Sequence, residues 1–316
     1  MGVMMFIVAE CGSNWTSKED CVSSVNMAAS CKADAVKFQL FSSEELYGSD
    51  IRPLSSALPR EWVADLAMKA NFYKIEFMCT AFSEDGLRFI DPFVKRHKIA
   101  SSDLCHTALL VAAATTGKPI ILSTGGHGES DIKYALEVLK GYRDLTLLYC
   151  ESSYPAYHMD LRKLDLLSKF GFPVGVSDHS REIYTTPLEA QRRGAKILEK
   201  HVNFVGAKGP DAPHSLSLSD FREMVGAIKG TGEKPQSLLS PYEQDMLLMH
   251  NRRLIAKTDI SKGVKFDYEK NFGVYRSTKP DTSGFHPAMA ADIHGKISAT
   301  NISKGDPIGP QSLEIK

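Results

Sequence analysis

The sequence predicts an α/β chain, a closed (β/α)8 barrel (TIM barrel) followed by a small C-terminal domain, on three observations. A short apolar run, a polar tip and an amphipathic stretch repeat from the first residues to about His201. The repeat occurs eight times, the number of strands that closes a barrel. Beyond residue 251 it gives way to short turn-and-strand segments. With 316 residues, 43% of them hydrophobic, the chain has enough apolar material for a large core and a second, small one.

In chain order, the run FIVAE ends in Glu10 and AVKFQ carries Lys37. EFMCTAF follows, then HKIAS, with Lys98, Ser101 and, just beyond, Asp103. IILSTG ends in Ser123 and Thr124, and LTLLYCESS in Ser152 and Ser153. VGVSDHS breaks into Ser177, Asp178, His179 and Ser180, and KILEKH into Glu199, Lys200 and His201. Helix-like stretches such as DIKYALEVLKGY lie between the runs. Each run is nearly continuously apolar, as parallel strands covered on both faces must be. An open doubly wound sheet shows the same alternation but gathers its polar ends at one switch point. Here polar tips recur on nearly every strand.

In a barrel those tips converge on one mouth. His179 and His201 arrive there on adjacent strands at similar depth, a separation that suits one divalent ion. Two imidazoles completed by water or substrate oxygens make an open site for a Lewis acid such as Mn2+ or Mg2+, whereas a closed structural zinc site needs more N or S ligands. Lys37 and Lys98, with the hydroxyls of Ser101, Ser123 and Ser152, fit a phosphate and a carboxylate, and the backbone amides of STGGHG add an anion-binding nest. Glu10 and Asp103 are carboxylates of the same mouth, fit to bind hydroxyls or manage protons, or equally to form ion pairs with Lys37 or Lys98.

Composition narrows the partners. Lys plus Arg and Asp plus Glu both number 38, so no excess charge points to nucleic acid or an anionic membrane. The start, MGVMMFIVAE, lacks a basic n-region and a cleavage site, and no apolar stretch is long enough to span a bilayer, so a cytoplasmic location is expected. Six scattered cysteines without CxxC spacing read as mostly reduced, with Cys79 and Cys150 as small core residues.

Taken in order, the motifs resemble those of the sialic acid synthases and their relatives that make other nonulosonic acids. VAECGSNW is similar to the family's AEIGxNH opening, AVKFQ to its KxQ strand, KIASSD to KIxSxE, and PIILSTG to the same words in the family. YCESSYPAY resembles its CxxxYP turn, GVSDHS its GxSDH, and LEKH followed by GPDAPHSL its EKH and GPDxxSL. The resemblance implies phosphoenolpyruvate held by Lys37, Lys98, Ser101, Ser123, Ser152 and Ser177. It implies a divalent metal, Mn2+ with Mg2+ or Co2+ as alternatives, on His179 and His201. An open-chain amino sugar such as N-acetylmannosamine would lie near Gln39, Tyr154 and Asp211, with Glu10 and Asp103 among the catalytic groups.

The repeated segments DISKG and NISKG after residue 251 resemble an antifreeze-like (SAF) domain, which implies a barrel at 1–231, a linker at 232–250 and the SAF domain at 251–316. It further implies a domain-swapped homodimer in which Arg276 reaches the partner's acceptor sugar. Four departures bear on the substrate: Trp15 stands where the family has His, Asp103 where it has Glu, Ser152 where it has Asn, and the loop over 40–58 is short. The alternative is a metal-dependent aldolase, or another phosphoenolpyruvate-condensing synthase acting on a smaller or phosphorylated aldose. A carbohydrate- or ice-binding protein without catalysis would be expected to lose the lysines and histidines of the mouth.

Overall fold

The computed structural model describes residues 5–48, 57–157, 159–230, 252–276 and 284–313. By internal contacts the chain divides into two units, Met1–Leu238 and Leu239–Lys316. The expected linker, 232–250, lies outside the described residues.

In the first unit the parallel strands β1 (Phe6–Gly12), β2 (Ala35–Leu40), β3 (Glu76–Ala81), β4 (His97–Ile99), β5 (Ile120–Ser123), β6 (Leu145–Cys150), β7 (Val174–Asp178) and β8 (Ile197–His201) close into a barrel. Each pairs with the next, and β8 returns to β1 with Glu10 opposite His201. The expected (β/α)8 architecture is therefore present, and every one of the eight apolar runs is a strand. Helices alternate with the strands, among them α1 (Lys18–Ser30), α2 (Ser43–Tyr47), α3 (Arg60–Phe72), α4 (Glu84–Ile90), α5 (Thr107–Thr115), α6 (Glu129–Val138), α7 (Lys163–Ser168), α8 (Thr185–Arg192) and α9 (Leu218–Lys229). Serines start several of them: Ser17, Ser83 and Ser217 accept the amide hydrogens of Asp20, Gly86 and Asp220, groups the first helical turn would otherwise leave unpaired.

The two-residue alternation of a strand sorts the side chains into layers. Val36, Phe38, Leu147 and Leu198 face outward into the shell they share with Val25, Leu66 and Leu110 of the helices. Val8, Ala35, Met78, Ile121, Leu148 and Ile197 form a separate apolar cluster, the floor inside the barrel. Two residues further along the same strands, on the same inner face, stand Glu10, Lys37, Thr80, Ser123, Cys150 and Glu199. Two further again come Gly12, Gln39, Ser152 and His201. An apolar floor thus supports a polar layer, which in turn opens to the mouth.

The same parity sends Asp178 and Lys200 to the outer face. They are register partners on β7 and β8, fully buried, with Lys200 Nζ 2.7 Å from Asp178 Oδ2 and donating to the Ser180 carbonyl at 2.7 Å. The Asp of SDH and the Lys of EKH therefore pin β7 to β8 behind the mouth.

The second unit has a core of Leu254, Ala256, Ile260, Phe266, Phe272, Ile293, Ile302 and Ile308. Its strands β9 (Arg252–Ala256) and β10 (Phe272–Arg276) pair antiparallel. The repeated DISKG and NISKG segments meet each other: Ile260 and Ile302 exchange both backbone hydrogen bonds at 2.8 Å. The Lys262 amide donates to Asn301 Oδ1 at 2.8 Å and the Lys304 amide to Asp259 Oδ1 at 2.7 Å. The sequence repeat is a local two-fold pairing, each motif capping its twin.

Candidate active site

The strand ends surround a cavity of about 490 Å3. Its base is an ion-pair network. Lys37 Nζ lies 2.7 Å from Glu10 Oε2 and 3.6 Å from Glu199 Oε2, and donates to Thr80 Oγ1 at 3.0 Å. Lys98 donates to Ser123 Oγ at 2.8 Å and to its neighbour's carbonyl, Ile99 O, at 3.0 Å, with Glu199 Oε1 at 3.9 Å. Gln39 Nε2 donates to Glu10 Oε1 at 2.7 Å, and Ser177 Oγ to Glu199 Oε1 at 2.9 Å.

Burial drives these groups apart. Desolvation, reinforced by Glu199, raises the Glu10 carboxyl to about 7, although Lys37 and Gln39 oppose the rise. Glu199 is as deeply buried, yet Lys37 and Lys98 outweigh desolvation and hold its carboxyl below the usual range. Burial works against the charge of Lys37, but Glu10 and Glu199 push it up to about 12. For Lys98 desolvation wins over its more distant carboxylate, and its ammonium is held below the ordinary value. Two carboxyls with separated affinities for a proton are the arrangement that proton-managing sites use.

Above this layer lie the histidines. His179 Nδ1 is 2.9 Å from the Glu151 carbonyl, which makes it the donor there and leaves Nε2 bare toward Ser177 Oγ at 3.5 Å. Tyr154 stacks on its ring at 4.2 Å. The rings of His179 and His201 stand 5.4 Å apart, and the ring of His214 lies 4.9 Å from that of His201. Burial lowers the proton affinity of all three, of His179 to about 4, so each is neutral at neutral pH. His201, Asp211 and His214 place one ligand atom each within 4.8 Å of one another. Buried and without hydrogen-bond partners among the described residues, His201 Nδ1 and His214 Nε2 are open to a cation. The residues at the mouth thus fit a divalent metal.

Of the residues the sequence singles out, Glu10, Lys37, Gln39, Lys98, Ser101, Ser123, Ser152, Tyr154, Ser177, His179, His201 and Asp211 all line this cavity. Gly125 donates its amide to Ser101 Oγ at 3.0 Å, and a Cβ on Gly125 would strike Ser152 Oγ and Cys150 Sγ, so this close approach favours glycine there. Asp103 is not in the lining. The 3-10 turn Ser101–Asp103 directs its carboxylate to Ser102 Oγ, 2.8 Å away, and to His106 Nδ1 at 3.4 Å. Arg276 ends β10 in the second unit and is exposed. Trp15 is not in the lining either. It is buried in the helical shell, edge-on to Trp62 at 5.5 Å, with its indole N–H donated to Gly12 O at 3.1 Å. Residues 49–56 of the short loop lie outside the described residues.

Sequence reading left Thr80, Glu199 and His214 unassigned and put Cys150 in the core. Cys150 is buried as expected, and its Sγ also lines the cavity, 3.5 Å from His179 Nδ1; none of the six cysteines is paired in a disulfide. A larger groove of about 700 Å3 opens nearby against α6 and α7, but Ile132, Leu166, Leu167 and Phe170 give it an apolar wall, and it gathers few of the strand-end groups.

Buried lysines, carboxylates and histidines gather at the strand ends of a (β/α)8 barrel, an enzyme-like mouth whose side chains could hold a small anion and a divalent cation. The chain belongs to the NeuB family, whose model matches residues 24–234. It is 36% identical to an uncharacterized protein of Methanocaldococcus jannaschii, over 83% of this chain and 82% of that one. It is 30% identical to the N,N'-diacetyllegionaminic acid synthase of Legionella pneumophila, over 95% and 92% of the two chains. The solved structure of the N-acetylneuraminic acid (sialic acid) synthetase of Leptospira borgpetersenii superposes with a TM-score of 0.67 at 31% identity, covering 77% of this chain and 90% of that one. Among the described residues no helix is long and apolar enough to cross a membrane.

Proposed function

We propose that this protein condenses phosphoenolpyruvate with an open-chain 2-acetamido sugar, in the presence of a divalent metal, to give a nonulosonic acid and inorganic phosphate. The observation that carries the reading is the cavity in which two buried lysines and the hydroxyls of Ser101, Ser123, Ser152 and Ser177 stand beside neutral histidines, in a chain with relatives named as synthases of such acids.

Lys98 and Lys37 take the phosphate and carboxylate, with Ser101, Ser123, Ser152, Ser177 and the Gly125–Gly126 backbone around them. His179 and His201 would hold a divalent cation, which when bound would polarise the aldehyde oxygen. Carbon 3 of phosphoenolpyruvate forms the new bond to the aldehyde carbon, which passes its electron pair to oxygen. Water adds at carbon 2, and the tetrahedral centre releases phosphate by C–O cleavage to leave the α-keto acid. Glu10, with its proton affinity near neutrality, is the group able to accept and return a proton, and the fixed charges of Lys37 and Lys98 offset the charge on the substrate as it reacts. Gln39, Tyr154 and Asp211, toward the opening, face the sugar.

In the same reading the second unit is a SAF domain of a swapped homodimer, Arg276 serves the partner's sugar, and the enzyme works in the cytoplasm. The test is a panel of 2-acetamido sugars and plain or phosphorylated aldoses, each with phosphoenolpyruvate and Mn2+, with phosphate release and α-keto acid both measured. Stoichiometric phosphate and keto acid with an acetamido sugar support the reading. Turnover with pyruvate and no phosphate would make the protein an aldolase.

A further inference from the structure

We infer that His201, Asp211 and His214 together form a three-residue seat for a divalent transition-metal ion, with His214, which the reading on His179 and His201 leaves out, as a ligand. This deepens the metal-dependent reading above and rests on it. The donor set is two imidazole nitrogens and one carboxylate oxygen, which suits Mn2+, Fe2+, Co2+ or Zn2+ better than the all-oxygen shell Mg2+ prefers.

Three observations carry it. The ligand atoms already lie within 4.8 Å of one another. Among the described residues His201 Nδ1 and His214 Nε2 are buried without hydrogen-bond partners, and their nearest carboxylate oxygens on Asp211, at 3.9 and 3.7 Å, are too distant to hydrogen-bond. Two orphaned imidazole nitrogens turned on one carboxylate are costly unless something positive fills the gap. Finally, the segment that brings Asp211 and His214 is locked to the end of β1. The Ser13 amide donates to Asp211 Oδ2 at 3.0 Å, Ser215 Oγ to the Asp211 carbonyl at 2.7 Å, and Asn14 Nδ2 to Ser215 Oγ at 2.7 Å and to Val202 O at 2.9 Å. Gly12 permits this approach: its φ is +49°, and a Cβ there would run into Asp211 Oδ2. The seat is thus built before the ion arrives, and Gly12 belongs to it without being a ligand.

The test uses the full chain stripped of metal, with Co2+ as probe. Affinity is read by competition with a chromophoric chelator and coordination by the visible absorption of the bound Co2+. His201→Ala, Asp211→Asn and His214→Gln should each weaken Co2+ binding by at least about tenfold, the loss that even an outer-shell partner produces, and should alter the spectrum. Gly12→Ala should weaken binding with all ligands still present. The Co2+-induced rise in Tm of each variant, measured against its own metal-free Tm, separates lost ligation from lost folding, and His214→Phe repeats the test with a ring of similar size. If His214→Gln and His214→Phe keep wild-type affinity and spectrum while His201→Ala does not, the three-residue seat is wrong and the two-histidine reading stands. A wild-type protein that binds no Co2+ would end both.

Discussion

Lys37 and Lys98 look equivalent in sequence, each a lysine on an apolar strand, yet their surroundings predict opposite defects. Take Lys→Met at each, which keeps the stem and removes the charge. At Lys37 the substitution strands Glu10 and Glu199, both almost fully buried, around a missing cation. Breaking a buried pair in this way costs about 3–5 kcal/mol, and for a domain of this size about 6–20 °C in Tm. The cost should grow with pH, because below about 7 Glu10 can take a proton instead. At Lys98 the nearest carboxylate among the described residues is Glu199 at 3.9 Å, which keeps Lys37 and Ser177 as partners, so the fold should lose little.

Binding should show the reverse order of interest. Of the two lysines Lys98 is the less neutralised by its own protein, and losing a charge-assisted contact of about 1.5–3 kcal/mol corresponds to a roughly 10- to 150-fold weaker affinity for phosphoenolpyruvate. Calorimetric titration with phosphoenolpyruvate at pH 7 and thermal unfolding at pH 6 and 8 measure both quantities. Wild-type affinity in Lys98→Met would refute the anion assignment. Equal loss of Tm in the two variants would refute the claim that Lys37, more than Lys98, neutralises the buried carboxylates.

Glu10→Gln should flatten the pH dependence of stability. The folded carboxyl holds its proton up to about 7 while the unfolded one releases it near 4.5, so the native state binds more protons in that window and loses stability as pH rises through it. The wild type minus variant difference in Tm should therefore fall from pH 4.5 to 7.5, and a difference that rises would mean the carboxyl is depressed instead. Asp103→Asn should keep kcat/KM within about threefold because the side chain is outside the cavity, whereas Glu199→Gln should lose most activity; comparable losses would return Asp103 to the site. Arg276→Ala mixed with His179→Ala should regain activity on subunit exchange if the arginine serves the partner's mouth, since one site then carries neither lesion. Demonstrated exchange without recovery would refute the swap.

The barrel was legible because a parallel strand buried on both faces leaves an unbroken apolar run, and all eight runs survived to be counted. The inner face of the site was legible for the same reason: once Lys37 or His201 is placed at a strand end, period two fixes its neighbours. Glu199 was within reach of that argument, two residues before His201 and two after the floor residue Ile197. Periodicity stops where the strands stop. Asp103 lies beyond β4 on a single 3-10 turn, whose rotation carries the carboxylate to His106. Trp15 follows a similar tight turn and enters the helical shell. His214 is set by contacts such as Asn14 to Ser215, 201 residues apart in sequence, and no local pattern announces a meeting of that range.

The polar layer explains how a protein can hold so many charges inside and still await an anion. Glu10 and Glu199 against Lys37 and Lys98 sum to zero when all four are ionised, and a neutral layer has little electrostatic reason to draw in a multiply charged ligand. The balance shifts because one carboxyl, Glu10, is poised near 7 while Glu199 stays ionised. Protonating Glu10 leaves the layer one unit positive, and an arriving anion stabilises that protonated form further. Binding of phosphoenolpyruvate should therefore draw a proton onto Glu10, with Lys37 turning from its carboxylate to the ligand, and release of phosphate should let the pair re-form. Titrations in buffers of different ionisation enthalpy count that proton directly. In Glu10→Gln the uptake assigned to this carboxyl should vanish, leaving only the ligand's own protonation, and unchanged uptake would show that the charge is balanced elsewhere.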